Sequence, residues 1–252
     1  MLKYLSGVCF VILMFTSCKK VESDFTSEPL SDYFPLQVGK YITYNLDSLV
    51  FLNFGQNFSD LTTIHYQAQD VVDAQITDNL GRPAFRIIRY LRTDSTQPWT
   101  PNNVFMAVPT RNTIEYVENN LRFIKLSLPV KQDFSWSGNN YLPDNTFPAY
   151  QFSDRQFMSG WDYTYDSVGV PLNINSVMID STLKVDETDQ FDGQDPSLPS
   201  TQYAEKTYSM EKYGKGIGLI YRQFLHWEYQ SPQSISPGYT GFGVTMSIID
   251  HN

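Results

Sequence analysis

Residues 217–229 read IGLIYRQFLHWEY, and their alternation decides the fold. Ile217, Leu219, Tyr221, Leu225, Trp227 and Tyr229 share one face of an extended chain. The other face carries Gly218, Arg222, His226 and Glu228, interspersed with Ile220 and Phe224. Side chains of a strand alternate with a period of two, whereas a helix returns its apolar positions every three or four residues. The stretch therefore predicts a long strand, its odd-numbered face buried and its even-numbered face partly so.

The same rhythm spreads outward. Phe242, Val244, Met246 and Ile248 alternate with Gly243, Thr245 and Ser247; Val177, Ile179, Leu183 and Val185 share a face; Trp161, Tyr163 and Tyr165 oppose Asp162, Thr164 and Asp166. Residues 62–92 predict a hairpin turning at Asn79-Leu80-Gly81. Residues 115–128 predict another turning at Asn119-Asn120, because Asn tolerates the positive φ of tight turns. Residues 203–216 read either as a short helix ended by Gly214 or as strand and turn.

With 17 Tyr, 17 Phe, 4 Trp, 14 Gly and 14 Pro, the composition favours pleated strands and turns. The expectation is an all-β chain: a single domain formed by a strongly curved antiparallel sheet, half-barrel or sandwich, with little helix. Roughly ten to twelve strands are foreseen.

The first residues carry an address. Lys3 precedes an apolar run from Leu5 to Phe15, then Thr16, Ser17 and Cys18, the order of a secretory signal too short to span a bilayer as a helix. Phe15-Thr16-Ser17-Cys18 resembles the lipobox of bacterial lipoproteins, with Phe15 where the family prefers Leu. The resemblance implies cleavage before Cys18 and acylation of that cysteine, with the membrane as a partner through the acyl chains. The expected organisation is a signal peptide over 1–17, a flexible tether over 18–32 and a β domain over 33–252. Lys19 after the cysteine, where an Asp favours inner-membrane retention, points by the same resemblance to an outer-membrane lipoprotein, on the periplasmic face or the cell surface.

Removal of 1–17 leaves 235 of 252 residues and takes away one charge, Lys3. The remaining 17 basic side chains face 27 acidic ones, a balance of −10. So acidic a chain presents no phosphate-neutralising surface for nucleic acid. The other cysteine, Cys9, lies in the removed part, so the expected mature chain has no disulfide.

Phe34-Pro35-Leu36, Gly39, Tyr41 and Tyr44 near the start, with Gly216, Gly218, Leu219 and Arg222 near the end, resemble the opening and closing strands of uncharacterised Bacteroidota lipoproteins. Ile42 stands where those carry Trp. The meandering strands round an apolar interior are also similar in architecture to lipoprotein carriers of the LolA/LolB type, which hold acyl chains.

Motifs for chemistry are sparse. The acidic stretch over 186–202 offers Asp186, Glu187, Asp189, Asp192 and Asp195 as weak calcium-ligand candidates, since hard cations take six to eight oxygens. It lacks the alternate acidic spacing of an EF-hand and reads as a solvated loop. The histidines, His65, His226 and His251, have no metal-ligand spacing, and Gly214 to Gly218 lacks the P-loop pattern. No G-x-S-x-G elbow occurs. The expectation is a protein that is not an enzyme and needs no cofactor. It would bind an apolar or glycan ligand in the concave face or on loop aromatics, of which Tyr141, Phe147, Tyr150 and Tyr239 are the candidates. The alternative is a structural protein presenting loops to an envelope partner; a hydrolase is the third reading.

Overall fold

The structure is a computed structural model that describes residues 25–51, 61–148, 150, 157–193, 202–231, 233–235 and 238–252. Cys18 and Asp195 lie outside the described residues. Twelve strands form one sheet. They are β1 (Tyr41–Phe51), β2 (Leu61–Thr77), β3 (Pro83–Arg92), β4 (Thr100–Pro109), β5 (Thr113–Glu118) and β6 (Leu121–Ser127). The second half comprises β7 (Ser135–Ser137), β8 (Asp162–Ile174), β9 (Val177–Gly193), β10 (Ala204–Gly214), β11 (Gly218–Gln230) and β12 (Gly238–His251). A single helical turn, α1 (Leu30–Tyr33), precedes them, and a 3-10 turn spans Met158–Gly160.

The order β6-β5-β4-β3-β2-β1-β12-β11-β10-β9-β8-β7 is an antiparallel meander whose first and last strands meet in the middle of the sheet. The two outer strands nearly close it into a barrel. Ile124 N–H donates to Gly138 O at 2.7 Å, and Trp136 Nε1 donates to Ile124 O at 2.8 Å. Lower on the seam, Tyr165 Oη donates to Ser127 O at 2.8 Å and accepts from Ser127 N–H at 3.1 Å. The expected strongly curved antiparallel sheet is adopted, as one sheet rather than a sandwich of two.

Both hairpins form where the turn residues place them. Asn119 and Asn120 have φ of 53° and 64°, the pair of positive values a two-residue turn needs to match the strand twist. At the β2–β3 turn the Asp78 carboxylate accepts from the N–H groups of Leu80 and Arg82, both at 2.9 Å. Residues 204–214 are strand, not helix, with Glu205, Thr207, Ser209, Glu211 and Tyr213 all buried at every second position. The stretch read as a loop from 186 is strand as far as Gly193.

From Gly218 the opening stretch lies in β11, and the middle of it turns its faces round, while Ile217 and Tyr229 are buried as expected. Ile220, Phe224, His226 and Glu228 are buried and Arg222 lines the interior, while Tyr221, Leu225 and Trp227 are half-buried. The reason is the interior itself: a layer of ion pairs crosses the barrel, so the face carrying Arg222 turns inward to join it. The faces assigned to β8, β9 and β12 hold, with Trp161, Tyr163, Tyr165, Ile179, Leu183, Val185, Met246 and Ile248 all buried.

The N-terminal segment closes one end, here called the base. Leu30 and Tyr33 are buried, and Phe34 reaches the rings of Tyr116 (6.2 Å) and Tyr213 (6.0 Å). Tyr33 Oη donates to Glu28 at 2.5 Å, Lys215 Nζ donates to Glu28 at 2.5 Å, and Val130 N–H donates to Ser27 Oγ at 2.8 Å. Ser27 to Asp32, expected as tether, are thus held against the barrel, because Leu30 and Tyr33 supply apolar surface that the open base must cover.

Candidate functional site

The interior is divided by a layer of charge at mid-height. Lys125 on β6 donates to Glu187 on β9 and to Glu211 on β10, both at 2.8 Å. Arg222 on β11 donates through Nη1 to Glu118 at 3.0 Å, and its Nε stands 3.5 Å from Glu211. Arg89 on β3 grips Asp70 on β2 with a two-pronged pair of 2.7 Å bonds and lies over the Phe105 ring at 4.7 Å. Ser209 Oγ donates to Glu187 at 2.6 Å, and Tyr213 Oη donates to Glu211. Buried charge persists only when it is paired and bonded in this way.

Burial sets the protonation balance. It pushes the Glu187 carboxyl above its ordinary range against the pull of Lys125. Burial acts on Glu211 in the same sense, but Lys125 and Arg222 outweigh it and hold that group low. Burial disfavours the Lys125 ammonium, yet the two glutamates raise it. Tyr44, Tyr116, Tyr163 and Tyr213 are all held far above the ordinary tyrosine range, chiefly by burial.

Below the layer, towards α1, lies a narrow cleft of about 70 Å³. Above it lies a larger cavity of about 330 Å³. Its walls include Leu46, Phe123, Trp161, Phe224, Phe242 and Val244; its floor is the charge layer, through Arg89, Lys125, Glu187 and Arg222. The rings meet edge to face, with Phe224 against Phe242 at 4.9 Å and 86°, and against Trp161 at 6.0 Å and 83°. At the upper end stand Asn119 and Leu121 of the β5–β6 turn, with Phe147 and Tyr150.

Two of the four expected loop aromatics therefore belong to the cavity: the Tyr150 ring lies 4.8 Å from Phe242, and Phe147 lies 6.4 Å from it. Tyr141 is exposed on the surface. Tyr239 is not in a loop; it opens β12 and packs on Tyr229 at 4.7 Å. The acidic residues do not converge. Glu187 points into the barrel beside Lys125, Asp186 is paired outside with Lys184 at 3.0 Å, and Asp189 and Asp192 are exposed. Among the described residues no group of three or more His, Cys, Asp or Glu side chains is placed to hold a metal ion. His65 bonds Asp47 at 2.7 Å on the surface, and His226 is buried with its Nδ1 2.9 Å from Thr207 Oγ1.

Lys125, Arg222 and the partners they gather were not foreseen as a site. A signal existed for Glu187, which continues the parity of Ile179, Leu183 and Val185. Glu187 and Glu211 do converge, with the Lys125 ammonium between them at 2.8 Å from each.

No protein-family model and no curated protein matches the chain. Among solved structures, it is similar to a protein from Bacteroides fragilis described as exported and of YmcC-like fold, at 11% identity and a TM-score of 0.40. The match covers 86% of this chain and 99% of that one.

Proposed function

We propose that this protein is a lipid-anchored envelope lipoprotein whose barrel holds an apolar ligand without transforming it. The observation that carries the binding is the upper cavity: about 330 Å³ of space walled by aromatic and aliphatic side chains. That volume falls at the lower end of the range used by small-molecule sites, which are concave and mostly apolar with a few placed polar groups. Of the two ligand classes expected, the apolar one fits better. A sugar platform needs a flat ring face open to water, whereas Trp161 and Phe224 are buried and present edges to their neighbours.

The anchor reading rests on Phe15-Thr16-Ser17-Cys18, and the geometry gives it a direction. Phe25, the first described residue, sits at the base beside Lys131, 5.8 Å from its Nζ, whereas the cavity lies at the opposite end. Seven positions separate Cys18 from Phe25. Such a segment spans at most about 25 Å, less than the length of the longer strands at roughly 3.3 Å per residue. A cysteine-anchored molecule would then stand with its base towards the membrane and its cavity away from it.

The test is mass spectrometry of protein purified from its native envelope without denaturant. A small apolar molecule released on unfolding supports the reading. Its absence, together with no saturable uptake of added acyl compounds, overturns it.

A further inference from the structure

The charge layer beneath the upper cavity is not uniformly satisfied. Arg89 uses both prongs of its guanidinium on Asp70 and is capped by Phe105. Lys125 uses two of its bonds on Glu187 and Glu211. A guanidinium carries five N–H donors, and Arg222 is different: among the described residues only its Nη1 donates a hydrogen bond, to Glu118. Its Nε is buried without a hydrogen bond, 3.5 Å from Glu211. Arg222 lines both the cleft below and the cavity above. The Nε atom is fully shielded beside Glu211, so the donors a ligand in the cavity can reach are the guanidinium N–H groups other than Nε, on a side chain that is 15% exposed. An acceptor there forms its bond in a water-poor place.

The charge count says what kind of acceptor. Arg89, Lys125 and Arg222 supply three positive charges, faced by four carboxyl groups, those of Asp70, Glu118, Glu187 and Glu211. No positive charge is in surplus to neutralise an incoming anion. A ligand carboxylate would add another negative group to a water-poor layer.

We propose that the upper cavity takes a single-chain acyl ester or amide, its chain among Trp161, Phe224 and Phe242 and its uncharged carbonyl oxygen accepting a hydrogen bond from Arg222. This rests on the apolar reading of the cavity. The selected ligand is an acyl compound such as a monoacylglycerol, and the free fatty acid of the same chain is discriminated against.

The experiment is a competition assay on the mature protein with an uncharged fluorescent naphthylamine as the displaced probe. At pH 8 a medium-chain monoacylglycerol is expected to displace the probe at roughly tenfold lower concentration than the matching fatty acid or the matching alkyl glycerol ether, which lacks only the carbonyl. Arg222→Lys keeps the charge opposite Glu118 but loses the fork, and should weaken the acylglycerol roughly tenfold relative to the matching ether in the same variant. Phe242→Trp, which fills the cavity, should remove binding of every compound. Equal competition by ester, ether and acid, or stronger competition by the acid, overturns the head-group assignment and leaves the cavity reading standing. A probe that does not bind at all overturns both. Should Arg222→Lys fail to fold, the ester-against-ether comparison on the unaltered protein decides the matter alone.

Discussion

Lys125 Nζ stands 2.8 Å from a carboxylate oxygen of Glu187 and 2.8 Å from one of Glu211, so one ammonium ties β6, β9 and β10 together across the barrel interior. All three side chains are almost completely buried. The two carboxyl groups are unequal partners. Glu211 is also held by Arg222, whereas among the described residues Glu187 has only Lys125 as a cationic bond partner and the Ser209 hydroxyl besides.

That inequality sets the outcome of mutation. Glu211→Gln leaves Lys125 and Arg222 short of a counter-charge and should cost about 3–5 kcal/mol. Glu187→Gln keeps an acceptor for Ser209 or Lys125 and should change stability by less than about 1 kcal/mol at neutral pH. Urea denaturation of both variants measures the difference.

The pH dependence follows from the same pair. Glu211 has a folded-state pKa below the ordinary 4.5, so its contribution is present above that value and is lost as pH falls through the folded one. Glu187 is raised, so its ionisation burdens the folded state as pH climbs from 4.5 through its folded value. Relative to the unaltered protein, Glu187→Gln should gain stability across that rising interval and gain nothing below it. A Glu187→Gln advantage that shrinks with rising pH would contradict the assignment.

One hydroxyl serves the lower part of the barrel seam. Tyr165 Oη serves both the N–H and the carbonyl of Ser127, where β6 ends. Tyr165→Phe should cost about 1–3 kcal/mol, because both backbone groups of Ser127 lose that partner in a buried place. Amide exchange at Ser127 should accelerate more than exchange in the centre of β1.

Gly138 follows β7 at the same seam, and a Cβ there would fall 2.4 Å from the Tyr163 ring. Tyr163 is buried and its hydroxyl donates to Asn139 at 2.7 Å, so the ring has nowhere to retreat. Gly138→Ala should lower stability by about 1–3 kcal/mol, and a thermal melt detects it.

Much of the fold was legible because its strands alternate strictly. The aromatic run Trp161, Tyr163, Tyr165 and the aliphatic run ending at Val185 announced inward faces, and Asn119-Asn120 announced its turn. The site was less legible. An interior built round ion pairs reverses the ordinary sign of the pattern, so β11 hid Arg222 on what looked like its wetter face. Glu187 sat in a run of acidic residues whose composition suggests a loop, and only its parity with Leu183 and Val185 marked it as internal. Which cations meet which carboxylates depends on strands distant in sequence, such as Lys125 and Glu211, and alternation within one strand carries no trace of that.

Anchoring has its own test. Cys18→Ala should release the protein from envelope fractions. With the lipidated protein in vesicles containing quencher lipid, a fluorophore at Arg111→Cys, at the base between β4 and β5, should be quenched. One at Ser95→Cys, in the β3–β4 turn at the far end, should not. Equal quenching at both positions contradicts the orientation, and a Cys18→Ala variant that still sediments with membranes contradicts the anchor.

Trp161 offers the most direct view of the cavity, since it lines the wall and is almost completely shielded from solvent. Titration of the mature protein with a monoacylglycerol brominated along its chain should quench tryptophan emission saturably at one molecule per barrel, and Trp161→Phe should remove most of that quenching. Quenching that never saturates, or that is undiminished by Trp161→Phe, would contradict a ligand inside the barrel.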